Sequence, residues 1–141
     1  MIKEIEIKEA RPPQWIWDDL HRLFEIDDTM TIYTYGTSIY DPRGTHKKIS
    51  NSVIIHEMKH MEQQEQIGGP DLWWKKYIED PEFRKQQEIE AYRAQYAHFC
   101  TTDRDRNNRA RYLNILAGFA ASPMYKINLT QSEALQLIKS T

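Results

Sequence analysis

The chain has a single cysteine, Cys100, in 141 residues. An intrachain disulfide is excluded, and no cluster of thiolates can hold a metal. Glycine and proline are scarce as well, at 5 and 6, which leaves no low-complexity linker and no collagen-like repeat. There is no excess of positive charge: 19 Lys and Arg stand against 21 Asp and Glu, for a net charge of −2 and a pI near 6.2. A broad basic surface able to displace counterions from nucleic acid is therefore missing, and no nucleic-acid partner is expected. No window approaches the run of about 18 apolar residues that would span a bilayer, so no membrane partner is expected. Residues Met1 to Ala10 alternate charge with isoleucine and lack the long apolar stretch of a secretory signal. The expected compartment is a reducing cytoplasm.

What is present suits one small globular domain over residues 1–141. Hydrophobic residues make up 40% of the chain, enough for a core, and a mean hydropathy of −0.77 predicts a polar exterior. Ile5 and Ile7 alternate with Lys and Glu over residues 2–8, the period of a half-buried strand, and Pro12-Pro13 end it. From Gln14 to Glu25, Ile16, Leu20, Leu23 and Phe24 form a helical stripe. Alternation returns from Met30 to Tyr40 around Gly36-Thr37, and residues 29–40 read as a β-hairpin.

From Asn51 the period changes to that of a helix, with Ser50, Asn51 or Ser52 as cap, running to about Gln66 before Gly68-Gly69-Pro70 stops it. A short helix follows from Asp71 to Glu79. Asp80-Pro81 pairs a capping side chain with a first-turn proline and opens a helix to about Phe99. Further helices are expected over 106–121 and 132–139. The class is α+β, mostly helical: a short hairpin or small sheet packed on a pair of antiparallel helices.

One constellation carries chemistry: His56-Glu57-Met58-Lys59-His60, the H-E-x-x-H pattern. Residues four apart share one face of a helix, so His56 and His60 can direct two imidazole nitrogens at one ion. Glu57 lies beside that edge, close enough to reach a water on the metal without ligating it. Those are the requirements of metal-assisted hydrolysis by zinc with a carboxylate as general base. Ile54, Met58 and Met61 fall on a different stripe, expected to face the core, so packing need not consume the histidines.

Zinc needs a third protein ligand. The H-x-x-G-x-x-H extension is absent, because Gln63 and Gln66 occupy its positions. A carboxylate from the segment Gln86 to Tyr92 can supply it. Glu88 lies 28 residues after His60 (88 − 60), and the breaks at 68–70 and 80–81 let the later helix return antiparallel to the first. Glu90 is the alternative; it points about 200° around the helix from Glu88, so the two cannot share one ion without distortion.

The His56-to-His60 motif followed by Glu88-Ile-Glu-Ala91 resembles the gluzincin metallopeptidases, above all their small minimal forms among metallopeptidase-like proteins of bacteriophages and prophages. The resemblance covers roughly residues 29 to 97. It implies Zn²⁺ held by His56, His60 and Glu88, with Glu57 as the catalytic base, a peptide or protein substrate, and the cytoplasm of a bacterial host as location. It also implies that the strand Met30–Tyr35 offers a free edge for an extended substrate, with Tyr33, Tyr35, Tyr92 and His98 as candidates to stabilise an oxyanion. One departure stands out. Tyr92 occupies the place where many gluzincins carry an aspartate that orients the first histidine, leaving the acceptors for the ring N–H groups unassigned.

Other features read as ordinary packing or solvation. Trp73-Trp74, Trp15 and Trp17 are expected in core and interface contacts. Arg104, Arg106, Arg109 and Arg111 are expected on a solvated helix face, and Cys100 as a small buried hydrophobe. Two competing readings accompany the peptidase: a non-enzymatic phage accessory or interaction protein with a structural or vestigial metal site, and a binder of a host factor through an exposed aromatic surface.

Overall fold

The computed structural model describes residues 5–44 and 49–140. Among these, six helices and a small three-stranded sheet give the α+β, mostly helical class expected. Strand β1 is Glu6–Lys8; of the strand expected over 2–8, residues 2–4 lie outside the described residues. Helix α1, Gln14–Leu23, opens after Pro13 and buries Ile16 and Leu20, one turn apart. It ends two residues before Glu25.

The hairpin is shorter than its alternation suggested. Strand β2 is Tyr33–Tyr35 and β3 is Ser38–Tyr40, joined through Gly36 at φ +65, a value that suits glycine at the first loop position. Residues 29–31 are drawn into a turn instead. The Asp27 carboxylate accepts from the Thr29 N–H and hydroxyl, and its carbonyl accepts from Thr31. Such local side-chain bonds compete with a ladder. The sheet order is β1-β3-β2, with β1 parallel and β2 antiparallel to the central β3.

Helix α2, Asn51–Ile67, is capped by Ser50, whose side chain accepts from the Val53 N–H, and stops at Gly68, held at φ +109. Helix α3, Pro70–Glu79, begins on its proline. Helix α4, Pro81–Thr102, starts where Asp80 accepts from the Glu82 and Phe83 N–H groups, and runs past the expected Phe99. Helix α5 is Arg106–Ala120, a 3₁₀ turn spans Pro123–Tyr125, and α6, Gln131–Lys139, opens on a Thr130/Glu133 capping box.

The expectation for the interior face of α2 holds at Met61 alone. Its buried residues are Ser52, His56, Glu57, His60, Met61, Gln63 and Gln64, while Ile54 and Met58 are only half-buried. A helix buried on its polar side must find hydrogen-bond partners in the elements it meets, and α4 supplies most of them. Ser52 meets His98, His56 meets Gln95, His60 meets Glu88 and Gln63 meets the Gln87 carbonyl. Numbers rise along α2 as they fall along α4, so the two helices run antiparallel.

Two apolar clusters flank this polar seam. One joins Ile16, Leu20 and Tyr33 to Trp73, Trp74 and Tyr77; the other joins Ile89 and Tyr92 to Leu113, Leu116, Ala117, Ala134 and Ile138. Fully burying a side chain such as Leu116 contributes about 1.5–3 kcal/mol, so each cluster anchors one side of the seam. No helix among the described residues is long and apolar enough to cross a membrane.

Candidate metal centre

His56 and His60 sit one turn apart on α2, 6% and 5% exposed, and Glu88 rises from α4 to meet them at 4% exposure. The Glu88 Oε1 lies 3.3 Å from the His56 Nε2 and 3.2 Å from the His60 Nε2. Two ligand atoms on a tetrahedral zinc, each about 2.05 Å from the ion, stand about 3.3 Å apart. The separations between carboxylate and imidazoles therefore already match edges of a zinc tetrahedron, and the three side chains offer donor atoms within 4.8 Å of one another.

The acceptors for the outer ring nitrogens are glutamines. The His56 Nδ1–H donates to the Gln95 Oε1 at 3.0 Å, and the His60 Nδ1–H donates to the Gln63 Oε1 at 2.8 Å. Each amide is turned the right way by its other end: the Gln95 Nε2 donates to the Tyr112 hydroxyl, and the Gln63 Nε2 to the Gln87 carbonyl and the Glu90 carboxylate. Both rings thus present Nε2 to the centre. Ring packing holds them further, with Tyr92 edge-on to His56 at 4.5 Å between centroids and Trp73 at 5.1 Å from His60.

Glu88 is steered by Tyr77, whose hydroxyl donates to its Oε2 and leaves Oε1 for the centre. Burial opposes ionisation of Glu88, but the imidazoles of His60 and His56 outweigh it and hold the carboxyl far below the usual carboxylate range. Burial on its own would likewise lower His60, yet the Glu88 carboxylate against its Nε2 raises it to about 9. Burial, then Glu88, push the Tyr77 hydroxyl well above its ordinary value, so it stays a donor.

Glu57 occupies a different place. Its Oε1 accepts from the Thr34 hydroxyl of β2 at 2.7 Å, and its Oε2 stands 3.9 Å from the His56 Nε2. It faces the centre without joining the donor set. Glu90 is exposed and turned to Gln63; of the two carboxylates left open by the spacing, Glu88 is the one brought to the histidines.

Several expected neighbours lie elsewhere. The Tyr35 hydroxyl donates to Asp71, and the His98 Nδ1 pairs with the Ser52 hydroxyl. Tyr33, next to Thr34 on β2, packs among Ile16 and Leu20 and lines the same cleft as the donors, its hydroxyl buried without a hydrogen-bond partner among the described residues. Tyr92 touches His56 through its ring, while its hydroxyl pairs with that of Tyr125 at 2.8 Å. The free edge expected on Met30–Tyr35 is not free at its centre. The Thr34 carbonyl accepts from both the Gln64 Nε2 and the Trp74 Nε1, and the Gly36 N–H donates to Gln64. The aromatic expectations divide: Trp73 and Trp74 are core residues, whereas Trp15 is 38% exposed, and Cys100 is only half-buried.

Sequence reasoning missed Thr34, Gln63, Tyr77, Arg84 and Gln95. A signal for some of them exists. Glu88, Tyr92 and Gln95 follow helical spacing on α4, and Ser52, His56, His60 and Gln63 do so on α2, so two polar stripes face each other across the seam. The donors open into a cleft walled by Leu20, Phe24, Ile32, Trp74, Met124 and Tyr125.

In comparisons with known proteins, no family model, no curated protein and no solved structure matches this chain.

Proposed function

We propose that the chain is a zinc-dependent metallopeptidase of the gluzincin kind, acting on an amide bond of a peptide or protein in a bacterial or phage-host cytoplasm. The observation that carries this reading is the placement of one Glu88 oxygen 3.2–3.3 Å from both Nε2 atoms, while amide oxygens occupy both Nδ1–H groups. His56, His60 and Glu88 would hold the ion. When bound, zinc supplies Lewis acidity that makes a water acidic near neutral pH and polarises a carbonyl.

The protein's own part is proton transfer and positioning. Glu57, fixed by Thr34, takes the proton of the attacking water and passes it to the leaving amine. The apolar cleft receives the substrate and excludes bulk water around that carboxylate. Glu57→Gln tests the assignment. The variant should keep its zinc and lose at least about 100-fold in hydrolysis of a fluorogenic peptide pool; hydrolysis at the parent rate would contradict it.

A second reading has its own support. The donors are buried and the Thr34 carbonyl on the β2 edge is already taken, which suits a structural or vestigial metal site in a non-enzymatic phage accessory protein. Zinc retained with no hydrolysis in the parent chain favours that alternative.

A further inference from the structure

Arg84 is the buried cation that the proposed chemistry leaves unused. It is 3% exposed, and among the described residues no carboxylate lies within ion-pair distance of it. Backbone carbonyls from two separate segments surround its guanidinium instead. Its Nη1 donates to the Tyr77 carbonyl at 2.6 Å and the Ile78 carbonyl at 3.3 Å. Its Nε donates to the Tyr125 carbonyl at 2.6 Å, and its Nη2 to that of Lys126 at 3.1 Å. The rings of Phe24 and Tyr77 lie 4.9 and 5.9 Å from its central carbon.

The first pair of carbonyls belongs to the last turn of α3, which ends at Glu79 and so has no intrahelical donors for them. A cation there also meets the negative end of the helix dipole. The second pair closes the 3₁₀ turn after α5. Each segment carries a tyrosine into the metal centre. The Tyr77 hydroxyl donates to the Glu88 Oε2, and the Tyr125 hydroxyl pairs with that of Tyr92, whose ring abuts His56. Arg84 itself stands one turn before Glu88 on the same face of α4.

We propose that Arg84 is a positioning residue of the metal centre. By tying the α3 terminus and the 3₁₀ turn to α4, it fixes the hydroxyl that orients Glu88 and the tyrosine pair behind His56. Only a planar fork with five N–H donors can serve carbonyls in these directions at once; the ammonium of lysine keeps the charge and loses the fork.

The inference rests on the reading of His56, His60 and Glu88 as zinc ligands, and the test separates the two. Zinc affinity of the full chain is measured by chelator competition for the parent, Arg84→Lys, Tyr77→Phe and the double variant, with circular dichroism confirming the fold. Each single change should weaken zinc about 10-fold. The double variant should lose less than the product of the two single losses, because both changes act on Glu88 through the Tyr77 hydroxyl, while the Tyr125–Tyr92 arm belongs to Arg84 alone. A lone capping role predicts a lower Tm with unchanged zinc affinity. Parent-like affinity in Arg84→Lys, or a double variant equal to the product of the singles, overturns the positioning role alone. A parent that binds no zinc overturns the ligand set and this role with it. If Arg84→Lys fails to fold, the parent's Arg84 Nε–H resonance decides. Slow exchange with water and a shift on zinc addition support the role, and exchange at the rate of free arginine, or no shift, overturns it.

Discussion

An amide oxygen carries no formal charge, so Gln95 and Gln63 orient the imidazoles of His56 and His60 without forming a second ion pair in the interior. They fix which nitrogen faces the centre while leaving Glu88 as the charged partner of both rings. Replacing either glutamine with alanine leaves a ring N–H unsatisfied and the ring free to turn. Zinc affinity should fall about 10- to 100-fold in Gln95→Ala, read by chelator competition; parent-like affinity would contradict the orienting role. Proton linkage at the same atoms gives a second expectation. Without metal, the folded value of His60, about 9, lies above its ordinary 6.5, so its contribution to stability is complete below pH 6.5 and is lost as pH rises through about 9. Glu88 is depressed, so its contribution is complete above 4.5 and is lost as pH falls below that value. Zinc bound there would take the Nε2 lone pair that the His60 proton otherwise holds, so uptake would expel a proton. The rise in Tm on adding zinc should therefore grow between pH 6.5 and 9. A rise that shrinks over that interval would contradict the ligation of His60.

At the level of elements, the seam depends on where helices start and stop. Gly68 ends α2 at φ +109, with the Gly69 N–H returning to the Gln64 carbonyl. A Cβ there would meet the Leu72 Cδ1 at 3.2 Å in a conformation that L residues resist. Gly68→Ala should cost about 1–2 kcal/mol, measured by urea denaturation, and a change within about 0.3 kcal/mol would show that the turn relaxes freely. These boundaries were legible because caps and breakers act locally: Ser50, Gly68, Asp80 and Pro81 stand where their chemistry requires. The polar part of the buried face of α2 was not legible from apolar periodicity. Periodicity counts apolar residues, and here the interior stripe consists of Ser52, His56, His60 and Gln63, whose burial depends on partners from α4. The short β2 escaped for a related reason, since Asp27 captures residues 29–31 through bonds that alternation cannot register.

Across the whole molecule, the His56, His60 and Glu88 donors lie between two apolar clusters, His56 against Tyr92 of one and His60 against Trp73 of the other. The juxtaposition of His56 and His60 was legible in the sequence because one helix sets their spacing. The choice of Glu88 over Glu90 required the antiparallel return of α4, and the roles of Thr34, Tyr77 and Arg84 required contacts between segments far apart in the chain. Because the candidate donors come from α2 and α4, an ion that binds only the folded chain should stabilise the whole domain, by about 2.7 kcal/mol at a free concentration 100 times its dissociation constant. The central claim is that one zinc sits between His56, His60 and Glu88. Zinc content of the metal-replete, dialysed full chain, with anomalous scattering at the zinc edge to place the ion, tests it most directly. About one ion per chain within bonding distance of those three side chains, lost in His60→Ala, is the predicted result. Less than about a tenth of an equivalent in the parent, or an ion placed elsewhere, would contradict it.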